Sequence, residues 1–318
     1  MATTNTFGTL ASSGLLYDAL GLTLKKLPFI KNMASDLQPV GAAAGLPFNV
    51  AMILKNWNAS QTVYDRVTTG TYDKQVGQTL PADGTFTLDQ WPYVAISLSA
   101  LEVNQLVMGA NDAVLRSRAI DKLMKKAFNA LGLSIVNAFL AKWTAANFPT
   151  VTYASAVGTM TYKKLGAAVD QLLLADTLMD KPDAILEIAC YREFVDSLTA
   201  IANATYDIEE PVRDATISEP VSGARSVSRY NVTMPTDAPR GIIFDPQAIV
   251  MANRVPIEET LEGNDPVYLE VITDPDTGFS ILYREFKNGS TGEVTRNITT
   301  MYGFGLGLVD HGVRITTS

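Results

Sequence analysis

Two runs of alternating apolar residues bracket a long polar stretch in the first third of the chain. Phe48, Val50, Met52 and Leu54 form the first run, and Val94, Ile96 and Leu98 form the second. Alternation of period two marks strands with one buried face. The roughly forty residues between them are rich in Thr, Gly, Asp and Gln. Turn chemistry falls at residues 68–73 and again at Pro81, Ala82, Asp83 and Gly84. Phe86 and Leu88 then alternate with Thr85 and Thr87, so a strand resumes there, and Trp91-Pro92 interrupts it before the last run. A two-stranded ribbon alone is marginal in water. Its apolar face therefore needs cover from elsewhere in the molecule or from another molecule, which points to assembly rather than catalysis.

The pattern then changes period. Ile120, Leu123, Met124, Ala127, Phe128, Leu131, Ile135, Ala138 and Phe139 form one helical stripe. Asn111 or Asp112 suits the N-cap. Arg116, Arg118, Lys122, Lys125 and Lys126 fall on the solvated side of the first half, and a solvated face accounts for them better than a nucleic-acid grip. Residues 131–143 are apolar nearly all round and belong deeper. Unbroken from 111 to 144, this helix spans about 50 Å and forms a structural axis. Upstream, residues 15–27 predict a weaker amphipathic helix ended by Pro28, and the Gly- and Ala-rich segment 36–45 predicts a hinge.

Downstream, Leu165, Val169, Leu172 and Leu173 place a helix over 162–179. Lys181-Pro182-Asp183 makes a turn, residues 184–189 a short buried strand, and 192–201 a further helix with Phe194, Val195 and Leu198 inward. That order predicts a compact α/β subdomain. Residues 205–225 read as an exposed, mobile polar loop, followed by a strand pair near 227–234 and 241–244. Strands return after 256: Phe279, Ile281 and Tyr283 alternate, and Asn288-Gly289 signals a hairpin, though Gly292 leaves the turn position open. Tyr302, Phe304, Leu306 and Leu308 alternate with Gly303, Gly305 and Gly307, which leaves one face bare for close approach by another backbone or a helix.

With 318 residues, 47% hydrophobic and 18% charged, the chain is an ordinary globular protein. A net charge of −8 and a pI near 4.8 argue against nucleic-acid binding as its main activity. One cysteine, Cys190, excludes an internal disulfide, and with one histidine, His311, it excludes a Cys/His zinc site within the chain. Cys190 follows an apolar run and reads as a buried, inert thiol; His311, beside Gly312, reads as a turn or surface residue. The apolar run at 15–24 contains Asp18 and carries Lys25 and Lys26 behind it, the wrong polarity for a secretory signal. No stretch reaches the roughly 20 apolar residues of a membrane helix.

Catalytic motifs fail in turn. There is no G-x-S-x-G elbow, Walker loop or H-E-x-x-H, and one terminal histidine makes a Ser-His-Asp arrangement a poor fit. Gly303 to Gly307 lack dinucleotide-loop spacing. Asp274 and Asp276 offer two carboxylates to a cation, but a β-turn explains them with less effort. Glu209-Glu210 read as solvated rather than as an acid/base pair. The sequence therefore assigns no catalytic, cofactor-binding or metal site.

Three segments, in order, carry a resemblance: Tyr93-Val94-Ala95-Ile96-Ser97-Leu98-Ser99-Ala100-Leu101-Glu102 entering the long helix, Phe244-Asp245-Pro246-Gln247-Ala248-Ile249-Val250-Met251-Ala252, and Met301-Tyr302-Gly303-Phe304-Gly305-Leu306-Gly307-Leu308-Val309. With the order of elements, they make the chain similar to the major capsid proteins of tailed bacteriophages, the Hong Kong 97-type fold. That resemblance implies an α+β fold: an N-terminal arm (1–42), an extended β loop (43–100), a long spine helix of the peripheral domain (101–149), an inserted axial α/β domain (150–255) and returning peripheral strands (256–318). It implies a non-enzymatic virion protein, assembled in the host cytoplasm, that builds hexamers and pentamers into an icosahedral shell around double-stranded DNA. The implied partners are further copies of itself, a separate scaffolding protein (the N-terminus has no room for a built-in one) and a portal. A decoration protein stays open; DNA is enclosed without sequence-specific binding, and no membrane or cofactor is involved. Some relatives cross-link through Lys and Asn; Lys74 lies in the loop, but no partner for it is identifiable, so no covalent link is expected. The rival readings are an encapsulin-like cellular compartment shell, an enzyme with an unrecognised site, and a tail-tube or decoration protein, which are usually shorter and lack a long central helix.

Overall fold

The computed structural model describes residues 13–50, 84–99, 113–149, 152–175, 181–199, 216–217, 220–232, 239–257, 268–287 and 293–317, together with the single positions 53, 101 and 234. Its elements, in chain order, begin with α1 (Ser13–Lys25), α2 (Pro28–Asn32), β1 (Ala34–Ala42), β2 (Pro47–Asn49), β3 (Thr85–Thr87), β4 (Tyr93–Leu98) and α3 (Ala113–Leu140). They continue with β5 (Thr152–Ala154), α4 (Tyr162–Ala175), β6 (Asp183–Leu186), α5 (Ile188–Thr199), β7 (Thr216–Ile217), β8 (Ser226–Ser228), β9 (Gly241–Phe244) and β10 (Ile249–Pro256). The last are β11 (Tyr268–Thr273), β12 (Ser280–Lys287), β13 (Val294–Thr299), β14 (Met301–Leu306), a 3-10 turn (Val309–His311) and β15 (Gly312–Thr316).

The axis is α3. Its 28 residues run about 42 Å at about 1.5 Å per residue. Met124, Phe128, Leu131, Ile135 and Phe139 recur on one face and are buried, as is Trp143 just past the helix end. They meet α1, α2 and strands of three sheets in the largest core, where Phe29 stacks on Phe139 with ring centroids 4.7 Å apart. Lys122, Lys125 and Lys126 are exposed, as the helical period requires. The proposed N-cap residues Asn111 and Asp112 lie outside the described residues.

Three larger sheets surround this axis. One has the order β1-β10-β14, the second β11-β12-β13-β4 and the third β5-β15-β9-β6-β8-β7, while β2 and β3 form a separate pair. The six-stranded sheet has its own core, in which α4 and α5 lay Leu165, Val169, Leu172, Cys190 and Phe194 on Leu186, Val227, Ile243, Val313 and Ile315. The last strand of the chain, β15, thus returns to the sheet of residues 152–244, pairing with β5 and β9.

Several expectations need correction. The segment read as a hinge is β1, which runs parallel to β10 from Ala34↔Val250 to Ala42↔Pro256. A register shift between Leu37 and Gly41 accommodates Pro39, and an edge strand tolerates a residue with no N–H. Helix α1 ends at Lys25, ahead of Pro28 as expected, and Pro28 also opens α2, because a first-turn proline lacks only an N–H that the helix leaves unpaired. Helix α5 begins at Ile188, so the buried strand ends at Leu186; an apolar run this short does not distinguish strand from helix. Strands β8 and β9 do not pair with each other, since β6 lies between them. The polar loop at 205–225 is partly structured: Ile217 sits in β7, and Val221 and Ala224 are buried and bridge each other across Ser222 and Gly223. Its remainder through residue 215, the Asn288-Gly289 turn and residues 176–180 lie outside the described residues.

Candidate assembly surface

The two alternating runs that open the polar stretch do not form a ribbon together. Strand β2 pairs with β3, whereas β4 pairs with β13 as the edge of the four-stranded sheet. The register of that sheet sorts its side chains. Ile272, Ile281, Tyr283, Ile298, Val94 and Ile96 face the core. One residue out of phase, rows such as Val271↔Leu282↔Thr299↔Tyr93 face outward. Tyr93 is 67% exposed, and Leu269 and Val271 are also open to solvent. Trp91, 48% exposed, donates from Nε1 to Thr299 Oγ1 at 2.9 Å and lies over the same face. Asn297 Oδ1, on that face too, is buried without a hydrogen-bond partner. Leu282 and Thr299, in the middle of that row, are buried, so the exposed apolar residues form two groups at opposite edges of the sheet, Trp91 with Tyr93 and Leu269 with Val271, each offering apolar area to a neighbour.

The root of the extended loop behaves differently from the wet ribbon expected. Val50, Ile53, Phe86 and Leu88 are buried against Val250, Ala252 and Met301 of the same chain. Phe48 stacks on Phe86 at 5.7 Å, and Val50 N donates to Gly84 O at 2.8 Å. The bare face of β14 receives this root: a Cβ on Gly303 would meet the Thr87 carbonyl, and one on Gly305 would lie 2.5 Å from the Phe86 ring. The requirement for cover is thus met inside the molecule at residues 47–50, 53 and 84–88. Met52, Leu54, both turn clusters except Gly84, and Lys74 lie outside the described residues.

Val157, 70% exposed on the turn between β5 and α4, is a further exposed apolar residue. Two charges that the sequence reading did not single out hold this turn. Glu193 of α5 accepts from Gly158 N at 2.8 Å and Met160 N at 2.9 Å. Arg240, nearly fully buried, pairs with Glu193 at 2.5 Å and donates to Ala156 O at 2.8 Å. Burial alone raises the Glu193 carboxyl; the Met160 N–H, the Arg240 guanidinium and the Gly158 N–H outweigh it and hold it below the usual glutamate value. Neither residue lies in a sequence motif; Arg240 beside Gly241 at a strand start offers no signal until the turn is folded over it.

The remaining candidates for chemistry have structural partners. Cys190 is buried, and burial pushes its thiol up to about 12, so the thiolate nucleophile is suppressed. His311 is not a free turn residue: its Nδ1 lies 3.0 Å from Asp245 Oδ2, and Asp245 N donates to His311 O at 3.0 Å. This reciprocal pair ties the 3-10 turn to the loop after β9. Asp183 accepts from Ser226 Oγ at 2.7 Å and Asn32 Nδ2 at 2.9 Å, joining α2 to the six-stranded sheet. Burial raises its pKa, against lowering by those two bonds and the Arg225 charge. Asp274 caps its own turn, accepting from Thr277 N and Oγ1 at 2.9 and 2.7 Å, and Gly278 supplies the positive φ that turn needs. Glu209 and Glu210 lie outside the described residues. Among the described residues no group of three or more metal-ligating side chains converges, and no helix is long and apolar enough to cross a membrane.

No family model and no curated protein matches this sequence. Solved structures do. The capsid asymmetric unit of cyanophage A-1(L) is 12% identical, with a TM-score of 0.52 over 91% of this chain and 91% of its own. The satellite phage P4 procapsid, solved with its size determination protein, is 10% identical over 97% and 92%, with a TM-score of 0.49. The holo-SrpI encapsulin complex of Synechococcus elongatus is 11% identical over 88% and 84%, with a TM-score of 0.46. The match to the cyanophage subunit spans both chains almost end to end, and the α+β architecture agrees with it: this chain has the Hong Kong 97-type capsid fold.

Proposed function

We propose that the chain is a major capsid protein that assembles as hexamers and pentamers into an icosahedral shell enclosing double-stranded DNA. The observation that carries this reading is the end-to-end fold match to a phage capsid subunit at a TM-score of 0.52. The exposed apolar residues at the two edges of the four-stranded sheet, Trp91 and Tyr93 at one and Leu269 and Val271 at the other, support it as surface that neighbouring copies would dry. In this reading residues 1–42 are the N-terminal arm, 43–100 the extended loop, 101–149 the spine segment, 150–255 the axial domain and 256–318 the returning strands. Two described strands cross these bounds: β15 joins the six-stranded sheet, and β10, at the end of 150–255, pairs with β1 and β14. The role is mechanical and non-enzymatic. The loop beyond its root lies across a neighbour, the axial domain gathers subunits about the symmetry axes, and α3 keeps each wedge stiff. A separate scaffolding protein and a portal complete the assembly, which takes place in the host cytoplasm and ends in the virion. A net charge of −8 fits an inner surface that encloses DNA without gripping its sequence.

Replacing residues 56–82 by a short Gly-Ser linker tests the loop's role while leaving the buried root in place. The expected result is a folded subunit that no longer forms particles by negative-stain electron microscopy. Particles at normal yield and size would sink the proposed contact.

A further inference from the structure

Arg254 stands where three elements meet. It projects from β10, whose preceding residue, Asn253, is locked: its Nδ2 donates to Thr300 Oγ1 at 2.7 Å and to Met301 O at 3.0 Å, and its Oδ1 accepts from Ser280 N at 2.7 Å. The seat of the arginine is therefore fixed. Its guanidinium, 8% exposed, donates through Nη1 to Asp36 O and through Nη2 to Asp36 Oδ2, each at 2.8 Å. Asp36 Oδ1 is occupied by Gln38 Nε2 at 2.8 Å. The guanidinium also lies 4.9 Å from the ring centroid of Phe48, the residue at the centre of β2.

We propose that Arg254 makes the seating of the loop root conditional on the docking of strand β1. The two elements it joins are the detachable ones: β1 is an edge strand with an interrupted register and an exposed second half, and β2 has three residues. A guanidinium this buried is stable only with its carboxylate in place. When β1 leaves, Arg254 keeps its Nη1 bond to Asn253 O at 2.8 Å but loses both Asp36 bonds, and Nη2 turns to water, since the Phe48 ring offers no hydrogen-bond acceptor. The cover over Phe48 then goes and the loop root loosens. Linkage makes the coupling reciprocal: loosening Phe48 weakens β1. The coupling belongs to the single chain; its consequence for shell building rests on the reading above.

Amide hydrogen exchange on the dispersed subunit tests it. Asp36→Asn and Arg254→Met should each speed exchange about tenfold at Gly45, Val50 and Leu88, the amides that bond the root. The double variant should add little, because both remove one link. The amides of β6 and β9 should stay unchanged. Phe48→Leu, which leaves the ion pair intact, should speed exchange in β1. Unchanged root amides, additive effects, an untouched β1 in Phe48→Leu, or equal acceleration throughout the molecule would each overturn the proposal. If the exchange results hold and Asp36→Asn still forms particles at normal yield, the coupling stands and the assigned role of the loop in the shell fails.

Discussion

Glu193 and Arg240 show how much of this molecule's order depends on a buried charge and its half-buried partner. Removing the carboxylate leaves Arg240 enclosed without its partner and the turn at 155–160 without its two N–H acceptors. Glu193→Ala should cost about 3 kcal/mol in chemical denaturation. The pH dependence has a defined sign. A carboxyl held below its ordinary value in the folded state contributes fully above the unfolded value and is lost as pH falls through the folded one. The wild-type advantage over Glu193→Gln should therefore shrink as pH drops below about 4. Gly303 makes a second prediction at this scale. A Cβ there meets the Thr87 backbone, which cannot rotate away, so Gly303→Ala should displace the loop root and cost about 3 kcal/mol or more. Faster exchange at Leu88 would report the displacement. The glycine-bare face of β14 was legible because period-two alternation with Gly at every second position has few other uses. The Glu193–Arg240 and Asp36–Arg254 pairs were not: their partners are distant in sequence, and charge alone does not reveal a buried contact.

Among the elements, α3 was the most legible, because a helical stripe sustained over nine apolar positions admits one reading. Strand β1 was the least, since Pro39, Gly41 and the polar residues before them read as a break until β10 supplies a parallel partner. The alternation at Phe48 and Val50 correctly marked a buried face. Periodicity does not say which element covers it, and β10 and β14 of the same chain do so at the root. The four-stranded sheet carries the prediction that separates folding from association. Tyr93→Glu combined with Leu269→Glu changes only exposed positions, so subunit stability should stay within about 0.5 kcal/mol of wild type. Particle yield should collapse, because two like charges would be buried at each contact. Normal yield would move the contact off this face.

Among the described residues, a long helix packs against three sheets, α4 and α5 cover the other side of the six-stranded one, and the loop root is anchored twice, by the bare face of β14 and by Arg254. Order of elements, more than any residue, made this fold legible from the sequence. Association between copies is not encoded in a chemical motif; the apolar run that pointed to it is covered at its root by the same chain, and the resemblance of three ordered segments carried the reading further. Multi-angle light scattering of the purified chain across a concentration series tests the central claim most directly. A shell subunit should pass, as concentration rises, from dispersed chains to hexamers, pentamers and megadalton particles. A monomer or small oligomer of unchanging mass at every concentration, with or without its scaffolding partner, would contradict the account.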